Sequence, residues 1–263
     1  MNISFLVTAS ETSHCLFEVI DSIEQAINDY HIKYTYEILV VSFEEIKYKN
    51  VIWVEDKLKQ PGHVVQAVNS LIPHSTGEYI IGLSDDHKLP NSKPLRVVEW
   101  LQSDAFKDRK YKVSGIGASP GTLSALNRMT ATAIPNISLW YTNPERFPDH
   151  AAFPEELKNP RFCSLEHRYL IVGYPVFERQ TLMEHFGGYY FNPSFHHHWA
   201  DNWLPFFVGE TDGYTLVCED TALQWCPRPG PTSVVKYDLE DYIAWCKLCV
   251  KLLNEGCTYY EKV

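Results

Sequence analysis

The sequence predicts an α/β fold: a mixed, mainly parallel sheet flanked by helices, with a loop-rich region in the second half. Three observations predict it. Short runs rich in β-branched and aromatic residues alternate with stretches of helical period through the first hundred residues, and such alternation implies right-handed crossovers between parallel strands. The runs are apolar throughout instead of at every second residue, as suits strands covered on both faces. Gly, Pro and Asn then mark the breaks between them.

Taken in order, Ile3-Ser-Phe-Leu-Val7 is the first strand, and Leu16, Ile20, Ile23, Ile27 and Tyr30 recur at helical spacing after it. Tyr36–Val41 and Val51–Val54 are the second and third strands. Gln60-Pro-Gly62 is a loop, and Val64, Val68 and Leu71 line a helix closed by Pro73. The fourth strand, Glu78–Leu83, runs directly into Ser84-Asp-Asp-His87. Leu95, Val98 and Leu101 predict a further helix. Residues 107–167 lose any sustained period, apart from one short strand at 111–118. Order returns with a strand over Leu170–Phe177, whose Pro175 argues for an edge or a bulge. A short helix through Leu182 and Phe186 ends at Gly187-Gly188, a helix begins near Ala200-Asp201, and Tyr214–Cys218 reads as a strand. Asp238–Asn254 is an amphipathic closing helix. The expected organisation is one domain in two halves, 1–106 and 107–237, with 238–263 as a C-terminal helix and tail.

Composition narrows the function classes. With 263 residues and 45% hydrophobic content the chain can bury a sizeable core, and a net charge of −10 excludes general attraction to nucleic acid or anionic lipid. No apolar run reaches the roughly 20 residues of a membrane span, and residues 1–10 lack signal-peptide features, so a soluble, cytoplasmic protein is expected. Seven cysteines carry no paired metal spacing. Cys246-x-x-Cys249 stands alone on a helical stretch and reads as buried thiols.

Adjacent carboxylates at the mouth of a buried strand repel one another and are costly to desolvate. Asp85-Asp86 therefore calls for a divalent cation with diphosphate oxygens, a donor-rich ligand, or plain water around a strand-capping turn. Strand ends on this edge of a parallel sheet are where ligands bind in such folds.

The surroundings of the pair carry a resemblance. Gly62, Ala67-Val-Asn69, Gly77-Glu-Tyr-Ile80 and Leu83-Ser-Asp-Asp86 resemble, in order and spacing, the inverting glycosyltransferases of family 2, which have the Rossmann-like nucleotide-diphospho-sugar fold called GT-A. The family's Asp-x-Asp is Ser84-Asp85-Asp86 here. The resemblance implies a nucleotide-diphosphate sugar donor, a glycan or other hydroxyl acceptor, and Mn²⁺ or Mg²⁺ as cofactor. It places the metal on Asp86, with His87 as an additional candidate ligand, and Asp85 toward the ribose. It places Thr8, Ala9, Ser10, Glu11, Ser42 and Asn69 around the nucleotide, with Ser42 standing where the family commonly has an Asp.

Downstream, Phe186-Gly-Gly-Tyr189 followed by Asp201 is similar to the family's Gly-Gly-Phe and Glu-Asp arrangement, in which the Asp is the general base; Ala200 replaces the Glu. A carboxylate at a helix start is held ionised by the helix dipole, although Asp is also a common helix cap. His196-His197-His198 offers acceptor lining, a metal ligand or simple surface; His198, with Trp199 and Trp203, is assigned to the acceptor side, core packing being the competing account of the tryptophans. Two other readings stay open. A nucleotidyltransferase would carry a Gly-rich, Arg-containing loop after the first strand, which Thr8-Ala-Ser-Glu-Thr12 is not, and a catalytically silent GT-A domain would bind glycans without turnover.

Overall fold

The computed structural model describes residues 1–9, 14–59, 62–117, 174–197, 200–212, 217–226 and 238–263. Four parallel strands form the first half: β1 (Asn2–Thr8), β2 (Thr35–Ser42), β3 (Val51–Glu55) and β4 (Tyr79–Ser84). Helix α1 (His14–Asp29) links β1 to β2, and α2 (Val64–Leu71) precedes β4. A two-residue turn leads from β4 to the short β5 (His87–Lys88); α3 (Arg96–Gln102) and β6 (Val113–Gly117) follow. The second half contributes β7 (Tyr174–Glu178), α4 (Arg179–His185), α5 (Ala200–Asp212), β8 (Val217–Ala222), β9 (Gln224–Trp225) and α6 (Asp238–Asn254).

The main sheet has seven strands in the order β3-β2-β1-β4-β7-β6-β8, and β5 pairs with β9 in a small second sheet. Only β7 runs against the rest. Mixed but mainly parallel, the sheet is the one expected.

Continuous apolar runs make two cores, because neighbouring residues point to opposite faces. Leu6, Leu39, Ile80 and Phe177 face α2, α4, α5 and α6, whereas Phe5, Ile38, Ile81 and Val176 face α1 and α3. The third strand departs from the expectation of burial on both faces. It lies at the sheet edge with Ile52 44% exposed.

Pro175 is a correction. Far from an edge, β7 is an interior strand between β4 and β6. A proline there lacks the N–H that its neighbour would accept. The Tyr190 hydroxyl occupies the gap: it accepts the Gly82 N–H at 2.8 Å and donates to the Pro175 carbonyl. A side-chain O–H thus stands in for a ladder bond, and regular β4–β7 pairing stops at Ile81 and Val176.

Close approach also explains Gly77. A Cβ there would meet the Ser4 backbone nitrogen at 2.4 Å, and the Gly77 N–H donates to Ser4 Oγ at 2.7 Å. Glu37 on β2 gathers the same turn, accepting on Oε1 from Ser4 Oγ, Thr76 Oγ1 and the Thr76 and Gly77 N–H groups.

The tail after α6 folds back into the core. Tyr259 is fully buried against Phe186, Trp203 and Phe207. Its carbonyl accepts from Trp203 Nε1 and Asn192 Nδ2, and its hydroxyl donates to the Tyr190 carbonyl. Among the described residues the cysteines are thiols, Cys246 and Cys249 buried on α6, and no helix is long and apolar enough to cross a membrane.

Candidate functional site

The carboxyl ends of the parallel strands finish in one row. The Ala9 N–H reaches the Val41 carbonyl, the Asp56 N–H the Ser42 carbonyl, and the Asp85 N–H the Thr8 carbonyl at 3.1 Å. Thr8 pairs with Ser84 in register. β4 therefore delivers Asp85 and Asp86 to the carboxyl edge of the sheet beside Thr8 and Ala9.

The two acids differ. Asp85 is almost fully buried, 2% exposed. Asp86 is partly open, and its Oδ1 accepts from Ser84 Oγ at 2.5 Å and from His87 Nδ1 at 2.8 Å. Burial resists ionisation of Asp86, but the His87 and Ser84 hydrogen bonds outweigh it and hold the carboxyl below its ordinary range. Its carbonyl accepts the Cys226 N–H, and His87 pairs with Trp225 across the β5–β9 ladder. Both sides of the turn are thus pinned.

Tyr174, at the first position of β7, completes the group. Its hydroxyl lies 2.7 Å from Ser84 Oγ, and its ring packs on His87 with centroids 5.1 Å apart. Burial pushes the phenol up, and the negative charges of Asp86 and Asp201 push it the same way. Asp201 is half-buried in the first turn of α5.

Several assigned residues have other work. Ser42 is a correction: it is fully buried, its hydroxyl donates to the Glu44 carbonyl at 2.6 Å and accepts from Trp53 Nε1 at 3.0 Å. Asn69 is another. Its amide clamps the Phe191 backbone, Nδ2 donating to the carbonyl at 2.8 Å and Oδ1 accepting the N–H at 3.1 Å. Trp203 is a third, a core residue whose indole N–H is spent on Tyr259.

His196 and His197 are held from below by Asp241 of α6, which is fully buried. Asp241 Oδ1 accepts the His196 N–H at 2.8 Å and lies 2.9 Å from His196 Nδ1, while Oδ2 accepts the His197 N–H at 2.8 Å. Ser10, Glu11, His198, Trp199 and the segment 118–173 lie outside the described residues. Tyr174 and Asp241 escape a sequence reading because neither sits in a recognisable motif. The only local sign of Tyr174 is a proline directly after it.

Among the described residues no group of three or more His, Cys, Asp and Glu side chains could hold a metal ion. One partly open, ionised carboxylate nevertheless suits a hard cation that arrives with diphosphate oxygens as its other ligands.

The fold overlays on S. aureus TarS 1-349. In the complex with UDP-GlcNAc the TM-score is 0.56, with 14% identity over 98% of this chain and 68% of that one. In the complex with UDP the TM-score is 0.51, with 14% identity over 85% of this chain and 59% of that one. This chain therefore spans between 59% and 68% of the length of those structures. No protein-family model matches the sequence, and comparison with curated proteins finds no match. What the overlay shows is the fold: the chain is GT-A-like, with its acidic turn on the fourth strand of a mainly parallel sheet.

Proposed function

We propose that the protein is an inverting, metal-dependent glycosyltransferase that moves a sugar, of hexosyl type, from a nucleotide diphosphate to an acceptor hydroxyl. The observation that supports this reading is the acidic turn at the carboxyl end of β4, where the partly open Asp86 is held ionised beside the Thr8–Ala9 strand end of a GT-A-like sheet. Residues 1–106 supply the donor half and 107–237 the acceptor half. Asp86 would hold Mn²⁺ or Mg²⁺ together with the diphosphate, with His87 as an additional candidate ligand, and Asp85 with the Thr8–Ala9 strand end would face the ribose. Bound there, the cation would neutralise charge on the departing diphosphate. Asp201 removes the proton of the acceptor hydroxyl as its oxygen attacks C1, and the nucleoside diphosphate leaves from the opposite face. The acceptor is a glycan or another hydroxyl compound.

A second reading is a silent GT-A module that binds a nucleotide sugar or glycan without turnover. The internal use of Ser42 and Asn69 favours it. A panel of UDP, GDP and dTDP sugars with Mn²⁺ separates the two. The transferase predicts a metal-dependent rise in melting temperature, lost in Asp86→Ala, and slow release of nucleoside diphosphate that Asp201→Asn abolishes while donor binding persists. No thermal shift with any donor sinks the transferase; donor binding with no release, or a shift with glycans alone, leaves the silent module, and no shift with either class sinks both readings.

A further inference from the structure

We propose that Tyr174 is a positioning residue for Asp86, acting through Ser84. The proposal rests on the donor-site reading above. It follows from counting protons.

Ser84 has one hydroxyl proton. An ionised carboxylate only accepts, so at 2.5 Å from Asp86 Oδ1 the serine must spend that proton there. The Tyr174 hydroxyl, 2.7 Å from Ser84 Oγ, is then the donor into the serine. The result is a relay of O–H groups, Tyr174 to Ser84 to Asp86, in which each bond polarises the next. His87 Nδ1 lies 2.8 Å from the same Oδ1 and 3.1 Å from Ser84 Oγ; facing a carboxylate it must carry a proton and donate, so it cannot take up the proton of Ser84. Two donors on one oxygen fix the plane of the carboxylate.

Tyr174 can reach Ser84 because β7 leaves the β4 ladder after Val176, where the Tyr190 hydroxyl is inserted. Its ring is braced against His87. Removing the phenolic oxygen would leave Ser84 with a weaker hold on Asp86 and no direct loss of any group at the ligand.

The test is a double-mutant cycle on nucleotide affinity, measured by calorimetry with Mn²⁺ and whichever of UDP, GDP or dTDP the wild type binds. Tyr174→Phe keeps the ring and removes the relay, and its Kd should rise about threefold to tenfold. Ser84→Ala should weaken binding at least as much, and the double variant should be no weaker than Ser84→Ala alone. Ser84→Thr, which keeps a hydroxyl, should stay near wild type. Wild-type protein that binds none of the three nucleotides overturns the donor-site reading and this proposal with it. Wild-type binding with an unchanged Tyr174→Phe, or additive losses in the cycle, overturns the proposal alone. If Tyr174→Phe does not fold, the Ser84 pair decides: equal affinity in the Ala and Thr variants overturns it.

Discussion

A Cβ on Gly82 would stand 2.5 Å from the hydroxyl of Tyr190, the same hydroxyl that accepts the Gly82 N–H. Sequence position 82 and side chain 190 therefore specify each other. Tyr190→Phe leaves a buried N–H and a buried carbonyl without their shared partner, a cost of about 2 kcal/mol. Gly82→Ala forces the ring to move within a packed core, about 1–3 kcal/mol. Urea denaturation measures both. The double variant should lose close to the sum, because the ring carbons Cζ and Cε1, 2.6 and 2.8 Å from that Cβ, remain in the phenylalanine and still strike the new methyl.

Glu37 predicts an acid-side sensitivity. Burial alone would raise its pKa, but donors from Ser4, Thr76 and Gly77 outweigh this and the carboxyl is held below its ordinary value. A depressed folded pKa gives stability that is present above the unfolded value, about 4.3, and is lost as pH falls through the folded one. Wild type minus Glu37→Gln in unfolding free energy should therefore be positive at pH 7 and shrink below pH about 4.5. A difference that is constant with pH would contradict it.

Asp241 should be unusually intolerant for a residue on a C-terminal helix. Its fully buried carboxylate takes up the N–H groups of both His196 and His197. Asp241→Asn offers one acceptor in place of two and brings a surplus donor, a loss of about 2–3 kcal/mol. Amide exchange at His196 and His197 should accelerate more than exchange elsewhere in the second half.

Trp203 tests its reassignment from acceptor stacking to core. Trp203→Ala is expected to cost about 3–5 kcal/mol. The milder Trp203→Phe should lower stability while leaving the KM for any acceptor unchanged, and a shifted KM with unaltered stability would restore the stacking role.

Much of this arrangement is legible in the sequence because its signals are local. β1 to β4 announce themselves as apolar runs between helical periods, and α6 shows its full span from Asp238 to Asn254 by periodicity alone. What the sequence hides is set by partners distant in the chain. Pro175 looks like an edge residue because nothing nearby reveals that the Tyr190 hydroxyl bridges its carbonyl to the Gly82 N–H. Asn69 and Ser42 have the residue types of a polar site, yet Phe191 and Trp53 take their hydrogen bonds. Asp85 and Asp86 look alike in sequence. Only burial, and the donors at Ser84 and His87, separate a closed carboxylate from a partly open one.

Burial of Tyr259 beneath Trp203 and Phe186 has a consequence for synthesis. As the chain emerges from the ribosome, β1 to β4 with α1 and α2 can assemble on contacts already made, but the indole N–H of Trp203 and the amide of Asn192 must wait for residue 259 before their acceptor exists. The layer that carries Asp201 therefore closes late, and a nascent chain should hold a formed acidic turn before Asp201 is settled.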